Sequence, residues 1–429
     1  MTRHDQAFVR DAIVPERAPP VTEAGAWKWM RENLFSSWFN AIVTALSIYV
    51  IYTVVTGFAP WFTNSVWQAG SLSHCREILD GARGACFAVI TERWNQLMFG
   101  FYPSDLYWRP ALTAVLFFVA IAPVLFTELP RRMLWFSAVY PFLAYFLLWG
   151  GSVWIPVMAA LGFVLGALAF LVMRRISELL APATAILVPL VWWVVFAAPA
   201  AEDMSWIAPV ELQFVRSDRF GGFLLSLVLG LTAISISLPM GVLLALGRQS
   251  DLLIVRTACI VFIEFIRGVP LITLLFTASL LLNYFLPPGT SFDLILRVII
   301  MVTFFAAAYI AEVVRGGLAS LPRGQYEAAD ALGLTYWQAQ RKIIMPQALK
   351  VSIPGIVNTF IGLFKDTTLV VFIGLLDPVG LSNSIRSDTA WTGIYWELFV
   401  FIGAFFFVFC FGISRYSMYL ERKLTRGHN

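Results

Sequence analysis

Lys365 and Asp366 stand side by side in a stretch that is otherwise apolar, with Thr367 directly after them and Asn358 a little earlier. Charge inside a bilayer is costly, so such residues usually face the interior of a helix bundle or a water-filled cavity. The Ile-Pro-Gly at 353–355 and the Lys-Asp-Thr-Thr run predict an interrupted helix, which would expose backbone groups to a ligand. These side chains could therefore bind a charged ligand. An internal ion pair that locks two helices together is the open alternative.

A second charged group consists of Glu264 and Arg267, spaced three residues apart on another apolar stretch. This spacing places the two side chains on one helix face, where they can pair. Gly268 and Pro270 are expected to break the helix just beyond them. A structural pair is the favoured interpretation because the group lies near one end of its span, and ligand binding is the alternative.

Other kinds of chemistry find no support in the sequence. The histidines are not at metal-ligand spacing, so we assign no metal; they are His4, His74 and His428. No phosphate-binding motif of the form G-x-x-x-x-G-K-[ST] is present, and GLFKDTT has neither its spacing nor its second glycine. We therefore expect no cofactor in this chain and no hydrolysis of ATP by it.

Composition indicates what positions these groups. Of 429 residues, 59% are hydrophobic and 13% are charged, whereas soluble domains have about a quarter charged residues. Apolar stretches of about 20 residues, the length that spans a bilayer as a helix, recur along the chain. We predict an all-α, polytopic membrane protein with about ten spans, at 39–61, 111–127, 133–150, 153–173, 184–201, 221–247, 252–286, 296–315, 351–376 and 395–417.

The positions of Lys and Arg predict the orientation. Most of the 30 basic residues fall on one side if the N-terminus is cytoplasmic. This assignment makes 1–38 and 421–429 cytoplasmic tails, puts the segment 316–350 in the cytoplasm, and makes 62–110 a periplasmic loop. No secretory signal is recognisable, because the first apolar run is too long and too internal.

The loop 62–110 contains Cys75 and Cys86, whereas Cys259 and Cys410 lie within predicted spans. An oxidising compartment would allow the first two to pair. We therefore treat Cys75 and Cys86 as a disulfide candidate, with two free thiols as the alternative.

A polar stretch, EAADALGLTYWQAQRKIIMP, separates the eighth and ninth spans. Residues 325–332 are good helix formers, and Gly333 can adopt the left-handed conformation that ends a helix. Thr335, with a glutamine three residues later, has the spacing of a capping box for a second helix. That helix, 336–345, is expected to end near Pro346. The pattern predicts two short helices joined by a glycine turn, suited to docking a soluble partner; an amphipathic loop lying on the membrane is the alternative.

This stretch resembles the cytoplasmic EAA loop of ABC importer permeases. The matching residues are Glu327, Ala328, Ala329, Gly333, Ile343 and Pro346. Met345 stands where the family usually has leucine, a change that conserves volume.

The resemblance continues in EFIRGVPLITLLF, AYIAEVVRGGLASLPRGQYEAA and MPQALKVSIPGIVNTFIGLFKDTTLV, which are similar to segments of polar amino acid uptake permeases. It covers roughly 220–420, which implies a five-helix permease core. Residues 39–201 would then be an extension of about five spans. An extension of this kind is similar to that of the M subunit of the bacterial general L-amino acid permease.

The resemblance implies a permease subunit of a binding-protein-dependent importer of L-amino acids in the bacterial inner membrane. Expected partners are a dimer of ATP-binding subunits that hold ATP and Mg, a second permease subunit, a periplasmic amino acid binding protein and membrane lipid, but no nucleic acid. The EAA residues would couple the ATPase to the spans, with Glu327 making a directional contact and Gly333 setting the angle between the helices. Asn358, Lys365, Asp366 and Thr367, with Glu264 and Arg267, would contribute to the substrate pathway.

Three alternatives are considered. An ion-coupled secondary transporter would use the buried charges as a relay, but it usually shows inverted repeats, and the two halves do not match. A scaffolding subunit would not need both a capped docking module and charges within its spans. A permease of the same family for another polar solute also stays open.

Overall fold

The computed structural model describes residues 25–126, 128–178, 180–281 and 292–425. The first 24 residues, the last part of the predicted seventh span and the final four residues lie outside this description, and so do His4 and His428. Within the described ranges, nine helices are long and apolar enough to cross a membrane. A tenth span results if one bent helix pair is counted with them. The chain divides into two units, one of residues up to Trp67 with Ser73–Phe87 and one of Gln68–Leu72 with Ala88–Asn429.

The first unit has one long helix. A short helix α1 (Gly25–Asn33) precedes α2 (Trp38–Thr63), whose first turn is capped by the Ser37 hydroxyl, which accepts a bond from the Asn40 amide at 3.2 Å. All residues of α2 are at least partly exposed within this unit, as expected of a span that contacts lipid or a partner. The segment after α2 contains α3 (Leu72–Leu79). The rings of Trp61, Phe62 and Trp67 pack around the ring of Phe87.

The second unit begins with two short helices, which sequence analysis assigned only to a loop. They are α4 (Ala88–Glu92) and α5 (Trp94–Phe99). The remaining helices of the extension are α6 (Trp108–Leu125), α7 (Leu134–Trp149), α8 (Trp154–Met173), α9 (Ala181–Val191) and α10 (Ala197–Ile207). A π-helical turn, Trp192–Phe196, joins α9 to α10, so these two form one span.

The permease-like half contains the other helices of the second unit. They are α11 (Gly222–Arg248), α12 (Leu253–Gly268), α13 (Leu271–Phe276), α14 (Leu294–Ala319), α15 (Arg323–Ala331), α16 (Tyr336–Ala339), α17 (Met345–Asp366), α18 (Pro378–Arg386) and α19 (Trp396–Thr425). A 3₁₀ helix, Thr367–Ile373, follows α17. We call this half the core. The core is built of helices because the backbone of a membrane span must satisfy all of its hydrogen bonds within the span.

Helix α14 is the centre of the core. More than half of its most apolar stretch is buried, and α11, α12, α13 and α17 all pack against it. Small residues allow the closest approaches, as is common between membrane helices. An added Cβ at Gly241 of α11 would lie 2.6 Å from the Ile310 side chain, and one at Gly317 would lie 2.1 Å from Ser352 Oγ. The end of the core at which α14 finishes is called the EAA-loop end below, and the other is called the opposite end.

The extension joins the core through backbone pairing at the opposite end. Strand β1 (Gly151–Ser152) pairs antiparallel with β2 (Glu211–Leu212). The buried Arg109 donates from Nη1 to the Gln213 carbonyl at 2.7 Å, and Trp149 Nε1 donates to the Ser217 hydroxyl at 2.9 Å. The link that leads into α11 is therefore held by side chains of the extension.

Within the described ranges, the predicted spans agree with the observed helices, with one prediction confirmed inside the seventh span and one correction inside the ninth. The seventh is broken at the place where Gly268 and Pro270 predicted it, and α12 meets the next helical stretch at a bend of 104°. The predicted interruption at 353–355 is wrong, because α17 runs unbroken through Pro354. A proline is tolerated within a membrane helix where neighbouring groups satisfy the freed carbonyl. The α-helix changes instead to a 3₁₀ helix after Asp366.

Candidate functional site

The polar stretch at the EAA-loop end forms two helices and a tight turn. Helix α15 follows Pro322, and Gly333 has φ +66°, in the left-handed region. The Gly333 amide donates to the Asp330 carbonyl at 2.9 Å, and the Leu334 amide donates to the Ala329 carbonyl at 3.2 Å. This is the pattern by which a glycine satisfies the last carbonyls of a helix.

The second helix begins as its sequence predicts but does not end where predicted. Thr335 and Gln338 form a capping box, in which the Thr335 amide donates to Gln338 Oε1 at 3.0 Å. The expected end near Pro346 is wrong, because a π-helical turn, Gln340–Ile344, leads directly into α17. A π turn bonds each amide five residues back, and this wider spacing accommodates a proline that has no amide hydrogen. The coupling segment is thus continuous with a membrane span.

The six EAA residues fall into two sets by exposure. Glu327 and Ala328 are exposed, as are Gly333 and Pro346, whereas Ala329 is fully buried. Ile343 is half-buried against the apolar cluster between α14 and α17. Ala329 and Ile343 therefore attach the segment to the core, and the exposed residues lie on a surface that faces away from it.

That surface carries large apolar side chains that sequence reasoning did not select. Leu332 is 73% exposed, Trp337 66% and Tyr336 53%. Glu327 makes no salt bridge within the described ranges. The sequence did contain a signal for these residues. They are large apolar side chains within a polar stretch outside the spans, and such side chains, when exposed together, mark a binding surface. We call Glu327, Leu332, Tyr336 and Trp337 the docking face.

Five charged side chains meet near the same end of the core, and Glu312 is at their centre. Its carboxylate accepts from Arg248 Nη1 at 2.7 Å and from Arg315 Nε and Nη2 at 2.8–3.0 Å. Arg267 Nη1 lies 3.8 Å from the same carboxylate, and Glu264 accepts from Arg248 at 2.8 Å. This charge cluster ties α11, α12 and α14 together.

The predicted pairing of Glu264 with Arg267 is wrong. Each has a partner on another helix, and the Arg267 guanidinium also lies over the Tyr309 ring, 5.5 Å from its centre. Partners from neighbouring helices replace the pairing within one helix, because the Glu312 carboxylate attracts several arginines at once. Glu312 and Arg248 were not among the predicted site residues.

We expect Glu312→Gln to lower the free energy of unfolding by about 1–3 kcal/mol, because it leaves three arginines with a single carboxylate. Thermal unfolding of the purified protein in detergent measures the change. Glu211→Gln, at an exposed position in β2, serves as the control. Equal melting temperatures for the two variants would contradict a structural role for the cluster.

The predicted group of Asn358, Lys365, Asp366 and Thr367 lies in and just after α17. Asn358 and Lys365 are both exposed and stand seven residues apart, so they share one helix face with the exposed Val351. Asp366 is half-buried, and Thr367 is fully buried and donates to the Phe364 carbonyl at 2.8 Å. Lys365 is therefore the last residue but one of its α-helix, just before the 3₁₀ helix. We call Val351, Asn358 and Lys365 the polar stripe.

The structure does not bring the two groups together. Ser352 packs against Val313 and Gly317, close to the charge cluster. Lys365 lies thirteen residues further along α17, about 20 Å at 1.5 Å per residue. A single small ligand cannot touch both groups.

A cleft of about 300 Å³ opens at the opposite end, where the starts of α11 and α14 meet the turn after the 3₁₀ helix. Its charged lining residues are Arg216, Asp218 and Asp293. Arg216 and Asp218 form an exposed salt bridge of 2.9 Å. None of the predicted pathway residues lines this cleft.

Two further sequence expectations concern cysteine and metal. Cys75 and Cys86 form a disulfide, with Cα atoms 5.9 Å apart, and Cys259 and Cys410 are free. Across the described ranges, no group of three or more His, Cys, Asp or Glu side chains could hold a metal ion.

Comparison with known proteins identifies a matching family and similar relatives. Residues 237–426 match the family described as the inner membrane component of binding-protein-dependent transport systems. The glutamate/glutamine/aspartate/asparagine transport system permease protein BztC of Rhodobacter capsulatus is 58% identical over 99% of both chains. The inner membrane amino-acid ABC transporter permease protein YhdY of Escherichia coli is 37% identical over 96% of this chain and 97% of its own.

Shorter relatives correspond to about half of the sequence. The probable glutamine ABC transporter permease protein GlnM of Bacillus subtilis is 30% identical over 48% of this chain and 93% of its own length. About half of the present chain therefore has no counterpart in this shorter relative.

Proposed function

The chain belongs to the family of amino-acid ABC transporter permeases, and on this premise we propose how its surfaces take part in import. It is a transmembrane subunit and not an enzyme, since in this family a separate subunit hydrolyses ATP. An ion-coupled mechanism is therefore set aside.

The docking face receives the ATPase subunit. The observation that supports this role is its exposure: three large apolar side chains and one carboxylate are exposed around a capped turn. Aromatic anchors surrounded by polar residues are typical of protein interfaces. An ATPase dimer that closes on ATP and Mg would move this face, and the continuous helix from α16 to α17 would carry the motion into the spans.

This role requires the EAA-loop end to be cytoplasmic, as the distribution of basic residues predicts. Both termini are then cytoplasmic and the opposite end is periplasmic. The binding protein would deliver its substrate at the opposite end, where the short helices α4 and α5 and the cleft lie.

The polar stripe lines the substrate pathway together with a second permease subunit. An exposed lysine and asparagine on a membrane helix are costly against lipid, so this face requires another protein surface or water. The Lys365 ammonium makes no salt bridge and donates no hydrogen bond within the described ranges. It is available for a substrate carboxylate. We favour a different chain as the second permease subunit, because a symmetric pair would have to accommodate two copies of the long extension.

The substrates are L-amino acids, and glutamate, glutamine, aspartate and asparagine are the first to test, since the relative with 58% identity is described as their permease. A cation in the pathway suits these ligands, because each carries at least one carboxylate.

The test is uptake by proteoliposomes that contain this chain, the second permease subunit and the ATPase, with the binding protein added outside. We expect ATP-dependent uptake of labelled glutamate that unlabelled aspartate and glutamine compete with and lysine does not. Leaving out the ATPase subunit is the control and should stop uptake. Uptake driven by an ion gradient without ATP would contradict the proposal.

A further inference from the structure

Residues 88–103 belong to the extension in sequence, but they pack as part of the core. We call them the bracing segment. Ala88, Val89 and Leu97 are fully buried, although no apolar run there is long enough to span a membrane. Helices α4 and α5 contact α11, α18 and α19. The segment therefore packs against three helices of the core.

Its contact with α11 is made by backbone against backbone. An added Cβ at Gly100 would lie 2.4 Å from the Gly221 Cα, and one at Gly222, which has φ +59°, would lie 2.0 Å from the Leu97 carbonyl oxygen. The Phe101 amide donates to the Arg219 carbonyl at 3.1 Å. So close a crossing of two chains needs glycine on both sides. The bracing segment is fixed on the start of α11.

The bracing segment contacts α18 itself and is joined to the turn after α18 by one ion pair. The Arg93 guanidinium binds the carboxylate of Asp388, two residues after the end of α18, and both side chains are about one-third exposed. The other carboxylate oxygen of Asp388 accepts from the Ala390 amide at 2.9 Å. The Asp388 carbonyl accepts from the Trp391 amide at 3.0 Å, and Trp391 is buried. Arg93 thus holds the residue around which the whole turn after α18 is organised.

The other end of α18 is joined to the 3₁₀ helix by a glycine turn that is held on the start of α11. Gly374 has φ +87°, and the Gly222 amide donates to the Leu376 carbonyl at 2.8 Å. Asp377 then caps α18, accepting from the Gly380 amide at 2.9 Å. Both ends of α18 are therefore fixed, one through Leu376 on the start of α11 and the other through Asp388 on the bracing segment.

We propose that Arg93 is a positioning residue for transport: through Asp388 it holds α18 on the bracing segment, so that the extension sets the shape of the pathway's periplasmic end. This inference rests on the proposed orientation and pathway. The extension supplies a restraint that a permease core without it lacks.

The test is a double-mutant cycle of Arg93→Gln and Asp388→Asn, of which the second keeps an acceptor for the Ala390 amide. If the pair acts as a unit, each single variant and the double variant should raise substrate-independent ATP hydrolysis by the same factor, about fivefold or more. Transport per ATP should fall in parallel. Arg93→Lys should retain most of the coupling, and Lys423→Gln, which breaks the exposed ion pair with Glu128 away from the bracing segment, should leave it unchanged.

Hydrogen exchange provides a readout that does not depend on transport. In the purified complex, Arg93→Gln should speed amide exchange at 378–394 by the same factor of about five or more, with normal exchange in α14. Unchanged exchange at 378–394, or effects of the two single variants that add in the double variant, would overturn the inference. If Arg93→Gln changes hydrogen exchange as expected but the unmutated complex transports no amino acid, only the proposed function is rejected.

Discussion

The Lys365→Ala variant should reduce amino acid uptake about 100-fold, the effect of losing a charge-assisted contact of about 3 kcal/mol. Assembly of the complex should be normal, because the ammonium holds no other side chain of the described structure in a salt bridge. Neighbouring residues keep the helix in place without it, since Thr367 and Phe364 are buried in the core. The measurements are initial uptake rates in proteoliposomes and the yield of the intact complex.

Two matched variants separate the charge from the loss of a long side chain. Lys350→Ala removes a lysine from the same helix near the EAA-loop end and should leave uptake within a factor of about two, as is usual away from functional features. Lys365→Arg keeps the charge and should retain a measurable rate. Near-normal uptake by Lys365→Ala would remove the polar stripe from the pathway.

The second large effect is expected from Gly333→Val. Gly333 has φ +66°, a conformation that a β-branched residue adopts only at a considerable cost. The turn between α15 and α16 should rearrange, and the docking face would lose its geometry. We expect ATP turnover to continue while uptake per ATP falls about tenfold, the effect of roughly 1.4 kcal/mol.

Gly333→Asn is the informative control, because asparagine tolerates the left-handed conformation. No heavy atom lies within 4 Å of an added Cβ at this position, so steric contact does not distinguish the two variants. Asparagine should preserve coupling and valine should lose it. Equal coupling in both variants would show that the conformation of the turn is irrelevant to force transfer.

Local features were predictable from the sequence. The turn at Gly333 and the capping box at Thr335 depend on residues that are neighbours in the chain, and both are present. The spans were predictable because about 20 apolar residues are needed to cross a bilayer. The break near Pro270 follows in the same way from a residue without an amide hydrogen.

Features that depend on distant partners were not predictable. Glu264 binds Arg248 on another helix and not Arg267 on its own. Arg93 and Asp388 are separated by 295 residues, and no local pattern indicates that they meet. The continuation of the second helix past Pro346 depends on a π turn, which propensities do not reveal. In each case tertiary packing selected among options that the sequence left open.

The central claim is that the docking face takes force from the ATPase subunit on the cytoplasmic side. Ala328 is exposed on α15 beside Glu327, so a cysteine there should be tolerated and reachable. The direct measurement is cross-linking of Ala328→Cys in the assembled complex, with and without ATP. The account predicts a cross-link to the ATPase subunit whose yield changes with nucleotide. Absence of this cross-link, together with labelling of the cysteine by a membrane-impermeant maleimide in cells whose outer membrane alone is permeabilised, would contradict it.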